Sequence, residues 1–155
     1  MLKLTHFPYL LLASLLSINF VSPVNAESTA TLTVVVNGVS NQKGEICMGV
    51  YSSAKGFPMN TNQVLKSACV KPTGDTVTHD FTGLKPGNYA VAVVDDQNGD
   101  RKLNKDFFGI PKEGFGVSRN PTVSILTGTP KFHDASFIMN QDTTIDIFLK
   151  YSLDP

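Results

Sequence analysis

This sequence predicts an all-β domain, on three observations. From Thr31 onward the apolar residues fall in short runs that are β-branched or alternate with polar residues. Gly, Pro and Asn bound these runs. No segment keeps a helical apolar period for longer than a turn or two. Regularly spaced short strands without helices predict a single antiparallel β-sandwich of about seven strands.

The elements follow in order. Lys3 precedes an apolar stretch over residues 7–24, interrupted by Pro8, Ser14, Ser17, Asn19, Ser22 and Pro23, and then Val24-Asn25-Ala26. This is the n-region, h-region and small-residue cleavage pattern of a signal peptide. The interruptions disfavour an anchor helix, which needs roughly 20 largely apolar residues. Residues 1–26 are therefore expected to be removed, leaving 27–155 as one exported domain, periplasmic or extracellular, with no transmembrane segment. The residue directly after the expected cleavage point is Glu27 and not the cysteine that a lipid anchor would need. The whole chain has 13 Lys+Arg and 13 Asp+Glu, and losing Lys3 leaves it nearly neutral. That balance excludes the basic surface that nucleic acid or an anionic membrane would require.

Strands are expected at 31–36, 45–51, 64–70, 76–81, 88–95 and 143–150, with shorter ones at 122–126 and 135–139. Asn41-Gln42-Lys43-Gly44 reads as a hairpin turn between the first two strands, and Thr73-Gly74-Asp75 as a turn between two later ones. Leu84-Lys85-Pro86-Gly87-Asn88-Tyr89 reads as a corner, with the Tyr89 hydroxyl bonded back to upstream backbone. Residues 96–121 break the strand pattern. A loop this long in a small domain is functional or disordered, and Phe107, Phe108, Ile110 and Phe115 favour an ordered, packed one. The only cysteines, Cys47 and Cys69, are expected to form a disulfide in an exported protein.

The long loop opens on the one run that suggests ion chemistry. Counted from Asp96, oxygen-bearing side chains stand at positions 1, 3, 5 and 9, namely Asp96, Asn98, Asp100 and Asn104, and Lys102 at position 7 offers its carbonyl. Calcium needs six to eight oxygens closely wrapped, so Asp95, Asp106 or water would complete the shell. The match to the helix-loop-helix motif is partial, because Arg101 and Phe107 stand where Gly and a bidentate Glu belong. The alternative is an Asx-rich turn whose side chains cap their own backbone.

Catalysis finds little support. There is no Gly-x-Ser-x-Gly elbow, and the mature chain keeps only His79 and His133. His79 alternates with Val77 and Phe81 along one strand face. His133 and Asp134 are sequence neighbours, which on a strand would point apart. Met48, Met59 and Met139 read as core filler rather than soft metal ligands.

Three blocks then point to a family. They are Ser53-Ala54-Lys55-Gly56-Phe57-Pro58, Leu84-Lys85-Pro86-Gly87-Asn88-Tyr89-Ala90-Val91, and Gly109-Ile110-Pro111-Lys112-Glu113-Gly114-Phe115-Gly116. Through them the chain resembles the bacterial domain-of-unknown-function 2141 family, small exported proteins with no established activity. The family's His-Asp-x-Asn-x-Asn/Asp-Gly-x-x-Asp run aligns with residues 95–104, where Asp95, Arg101 and Asn104 replace the leading His, the Gly and the last Asp. The resemblance implies a prealbumin-like or immunoglobulin-like sandwich and no reaction.

The expectation is an exported, non-enzymatic binding or structural module of unknown ligand and oligomeric state. Its long loop, Asp95 to Gly116, would be organised around calcium bound by residues 95–106 or would serve as a contact surface. The competing expectation is a small-ligand carrier or small enzyme. Its pocket would lie between residues 95–116 and a sheet face, and it would use Asp95, His79 or Glu113.

Overall fold

A computed structural model describes residues 28–40 and 42–154, and the expected signal peptide lies outside the described residues. Among the described residues eight strands run in the order β1 Ala30–Asn37, β2 Glu45–Tyr51, β3 Lys66–Val70, β4 Thr76–Leu84, β5 Gly87–Asp96, β6 Phe115–Val117, β7 Phe137–Met139 and β8 Thr143–Phe148. A 3-10 turn, Thr61–Gln63, and a four-residue helix, α1 Phe132–Ala135, interrupt them.

The strands form two sheets, one ordered β4-β1-β8 and one ordered β3-β2-β5-β6, with β7 added to the start of β5. In β1 burial alternates strictly, with Leu32, Val34 and Val36 inward and threonines on the opposite face. The same inward set from β2 and β5, Ile46, Met48, Val50, Val91 and Val93, meets them in one core shared by both sheets. Met48 and Met139 are core filler as expected, whereas Met59 is 41% exposed.

Several expectations are corrected. β1 and β2 lie in different sheets, so the described residues 42–44 belong to a crossing between sheets rather than a hairpin, and residues 73–75, between β3 and β4, do the same. Turn residues encode where the chain reverses but not which sheet receives the next strand. β8 pairs with β1 in parallel, so the smaller sheet is mixed; β2 to β7 supply the long crossover that parallel neighbours need. Residues 122–126 make no strand, because Ser124 N–H bonds to Thr127 Oγ1 and the chain turns there. Val64 and Leu65 precede β3 rather than opening it, and 132–135 is helical before β7 begins.

The corner forms as expected, with Tyr89 OH donating to the Lys85 carbonyl at 2.7 Å. Tyr89→Phe should therefore cost about 1 kcal/mol in urea unfolding without changing the slope. An unchanged midpoint would mean that the ring's packing alone holds the corner. The Cys47–Cys69 disulfide joins directly opposed residues of β2 and β3. It contributes roughly 3 kcal/mol in the chain-entropy account.

β5 decides where the site sits. It is paired by β2 over Ala90–Asp96, by β7 over Gly87–Tyr89 and by β6 over Ala92–Val94. Tyr89, Val91 and Val93 enter the shared core. Ala90 and Ala92 face the outside of the sheet, where Phe57, Val64 and Phe132 pack over them in a second apolar cluster. Tyr51, Phe57 and Phe132 stack edge to face across this cover, with centroids 5.2 and 5.8 Å apart.

Candidate functional site

Asp95 and Asp96 end β5 and, as strand neighbours, point to opposite faces. Asp95 turns inward, fully buried, with Oδ2 accepting from Tyr151 OH at 2.7 Å. Its Oδ1 has no hydrogen-bond partner among the described residues. Burial raises the Tyr151 hydroxyl pKa above its usual value, against the lowering contact from Ser40. Asp96 turns outward beneath the loop and accepts from Gly99 N–H and Arg101 N–H, both at 2.8 Å.

The rest of the Asx run closes on itself. Asn98 Oδ1 accepts from Asp100 N–H at 3.0 Å, and Asp100 Oδ1 accepts from Lys102 N–H at 2.9 Å. Asp100 Oδ2 takes the side-chain amides of Asn104, at 2.9 Å, and Asn98, at 3.3 Å. The Asn104 amide is the main cause holding the Asp100 carboxyl below the usual carboxylate range. Asp106 serves a separate turn, where Oδ1 accepts from Phe108 N–H and Ile110 N–H. The structure thus brings Asn98, Asp100 and Asn104 together, sets Asp96 under them, and places Asp95 and Asp106 elsewhere. Among the described residues, the one group of three His, Cys, Asp or Glu ligand atoms within 4.8 Å of one another is Glu45, Cys47 and Cys69. Its sulfurs are joined in the disulfide.

Glu113 is the residue whose place in this loop sequence reasoning missed. It is 6% exposed and spans the loop's two arms, Oε1 accepting from Gln97 N–H at 3.2 Å and Oε2 from Asn104 N–H at 2.9 Å. Residues 104–112 double back through Lys112 N–H to the Asn104 carbonyl, with Lys105 bridged to Pro111. The expected packing of this loop is corrected: of its four anchors only Phe115 is buried. Phe107 is 97% and Phe108 83% exposed, because no opposing layer covers the tip.

Residues 121–130 run alongside, fixed by Val123 N–H to Asp154 Oδ2 at 2.7 Å and by Asp154 N–H to the Val123 carbonyl. Between this segment, the loop and the outer sheet face lies a cleft of about 200 Å³. Ala92, Val94 and Val117 line it from the sheet, Leu103 and Ile110 from the loop, and Ile125 from the facing segment. Asp95, His79 and Glu113 are not among its lining residues. His79 packs edge-on against Phe81, with centroids 4.7 Å apart. His133 and Asp134, expected to diverge, approach to 2.9 Å because they sit on α1 and not on a strand.

The fold and this arrangement define an all-β domain of two sheets whose longer sheet carries an ordered loop and an apolar cleft on its outer face. The chain belongs to a bacterial family described as uncharacterized protein conserved in bacteria (DUF2141), which matches over residues 34–146. No curated protein and no solved structure matches it. Of the three family blocks, 53–58 supplies Phe57 to the outer cover, 84–91 the tyrosine corner, and 109–116 both Glu113 and Phe115.

Proposed function

We propose that this protein is an exported, non-enzymatic module that binds a small apolar ligand in the cleft between its long loop and the five-stranded sheet. The scaffold would be a sandwich of the prealbumin-like or immunoglobulin-like kind. One observation carries the reading. The cleft's walls are apolar, and its rim leaves Phe108 and Ile125 83% and 79% exposed. Contiguous apolar surface of this sort marks interaction sites, and each such side chain gains about 2 kcal/mol when covered. Ligand pockets usually hold 300–1,000 Å³, so an occupant of ordinary size would extend from the cleft onto this rim. Among the described residues the lining offers Lys105 but no carboxylate or imidazole, which suits binding better than acid–base chemistry.

The test is titration with N-phenyl-1-naphthylamine, an uncharged fluorescent apolar probe. A saturable rise in emission is expected, weakened about tenfold or more in the double variant Phe108→Ser, Ile125→Ser. Both positions are exposed, so the variant should keep its fold. An absent signal, or affinity unchanged in the variant, removes the reading.

A second reading, calcium held by the 96–104 turn, rests on the mutual contact of Asn98, Asp100 and Asn104. Asp96 and the Lys102 carbonyl would extend the shell. Calcium at a hundred times its Kd would add about 2.7 kcal/mol, raising the Tm of a domain this size by several degrees. Equal melting in calcium and in chelator would eliminate this reading.

A further inference from the structure

The charges around the cleft point to the chemistry of its occupant, on the binding reading just given. Among the described residues Lys105 is the one charged residue lining the apolar cleft. It is exposed, and its ammonium forms no ion pair or hydrogen bond among the described residues. A second, more polar cleft of about 480 Å³ adjoins the first and shares Pro58, Met59, Ala92, Val94 and Leu103 with it. The two form one trough along the outer sheet face, passing over the Cys47–Cys69 disulfide. The charged residues lining the second cleft are Glu45, Arg101 and Lys102.

The trough therefore sets three cations against one carboxylate, in a chain whose 13 basic and 13 acidic residues balance. The loop's carboxylates turn to its own backbone rather than into the clefts: Asp96, Asp106 and Glu113 accept from backbone N–H groups, Asp100 accepts from Lys102 N–H, and none of the four lines either cleft. Around Lys105 the surface is apolar, with Phe108, Gly109, Ile110 and Pro111 following it in the lining. A cation beside an apolar slot is complementary to a molecule with one charged end and one hydrocarbon end.

We propose that the ligand is an anionic single-chain amphiphile. Its alkyl chain lies against Ala92, Val117 and Ile125, and its acidic head is met by the Lys105 ammonium at the rim. The uncharged wall sets affinity, and the lysine sets preference among chains of equal length.

The experiment displaces N-phenyl-1-naphthylamine from the mature protein with dodecanoate, dodecanol and dodecylammonium at low ionic strength. Dodecanoate is expected to displace the probe best, by about tenfold over dodecylammonium, with the preference shrinking as salt is raised. Lys105→Glu should weaken dodecanoate about tenfold, leave dodecanol unchanged and favour dodecylammonium, while Lys105→Arg should behave as the native protein. Equal displacement by all three chains would overturn the anionic assignment and leave the apolar cleft standing. A dodecanoate preference that survives Lys105→Glu would overturn the role given to that lysine. Failure of the probe to bind at all would remove the cleft reading and this inference together.

Discussion

Gly44→Ala should destabilise the protein by about 3–5 kcal/mol, among the largest single-residue losses expected here. Gly44 lies just before β2 in the left-handed region, with φ of 73°. A Cβ added there would stand 2.1 Å from the Asp96 carbonyl oxygen and 2.7 Å from Gln97 Cα. The left-handed backbone alone costs an alanine about 1–2 kcal/mol. The overlap adds more, because both obstructing atoms are backbone at the junction of β5 and the long loop, where Glu45 pairs with Asp96. Gly99→Ala separates the two effects. Its φ is 77° with nothing within 4 Å of the added carbon, so it should lose only the conformational part. Denaturant melts of the two variants give the comparison, and equal losses would show that the approach of Gly44 to β5 is readily relaxed.

The alternating strands were legible because one face of each is buried. β2 spans the expected residues, and β1 and β4 extend the expected runs by one to three residues at their ends. Sheet membership was not legible, since the inward pattern of β1 and β2 is the same whether they pair side by side or oppose each other across the core. β6 has three residues, all buried, which is too short to show a period of two. The Asx spacing of residues 96–104 marked the loop, and its capping bonds are local enough to be read from the chain. Glu113 could not be, because its partners lie 16 and 9 residues away. The cleft was concealed for another reason. One wall comes from residues 122–130, whose Val123 and Ile125 mimic strand alternation, and its rim is made of Phe108 and Ile125, large apolar residues that any burial rule sends inside.

Glu113→Ala should cost about 2–4 kcal/mol and weaken apolar-probe binding in the same variant. The carboxylate accepts two backbone N–H groups from opposite arms of the loop, and its removal leaves both without their acceptor. Hydrogen bonds to charged groups contribute roughly 1.5–3 kcal/mol each, and a buried orphaned donor costs a comparable amount. Gln97 and Asn104 would then be free to separate, and Leu103, Phe108 and Ile110, which line the cleft from the same loop, would lose their fixed position. Glu113→Gln keeps one carbonyl acceptor and should recover about half of the stability. Amide hydrogen exchange reports the local event directly, with faster exchange expected at Gln97 and Asn104 and little change in β1 or β2. Faster exchange with unchanged probe affinity would mean that the loop orders itself through Asp96 and Asp106 and that the cleft wall does not depend on Glu113. Loss of both together would tie the buried carboxylate to the binding surface it supports.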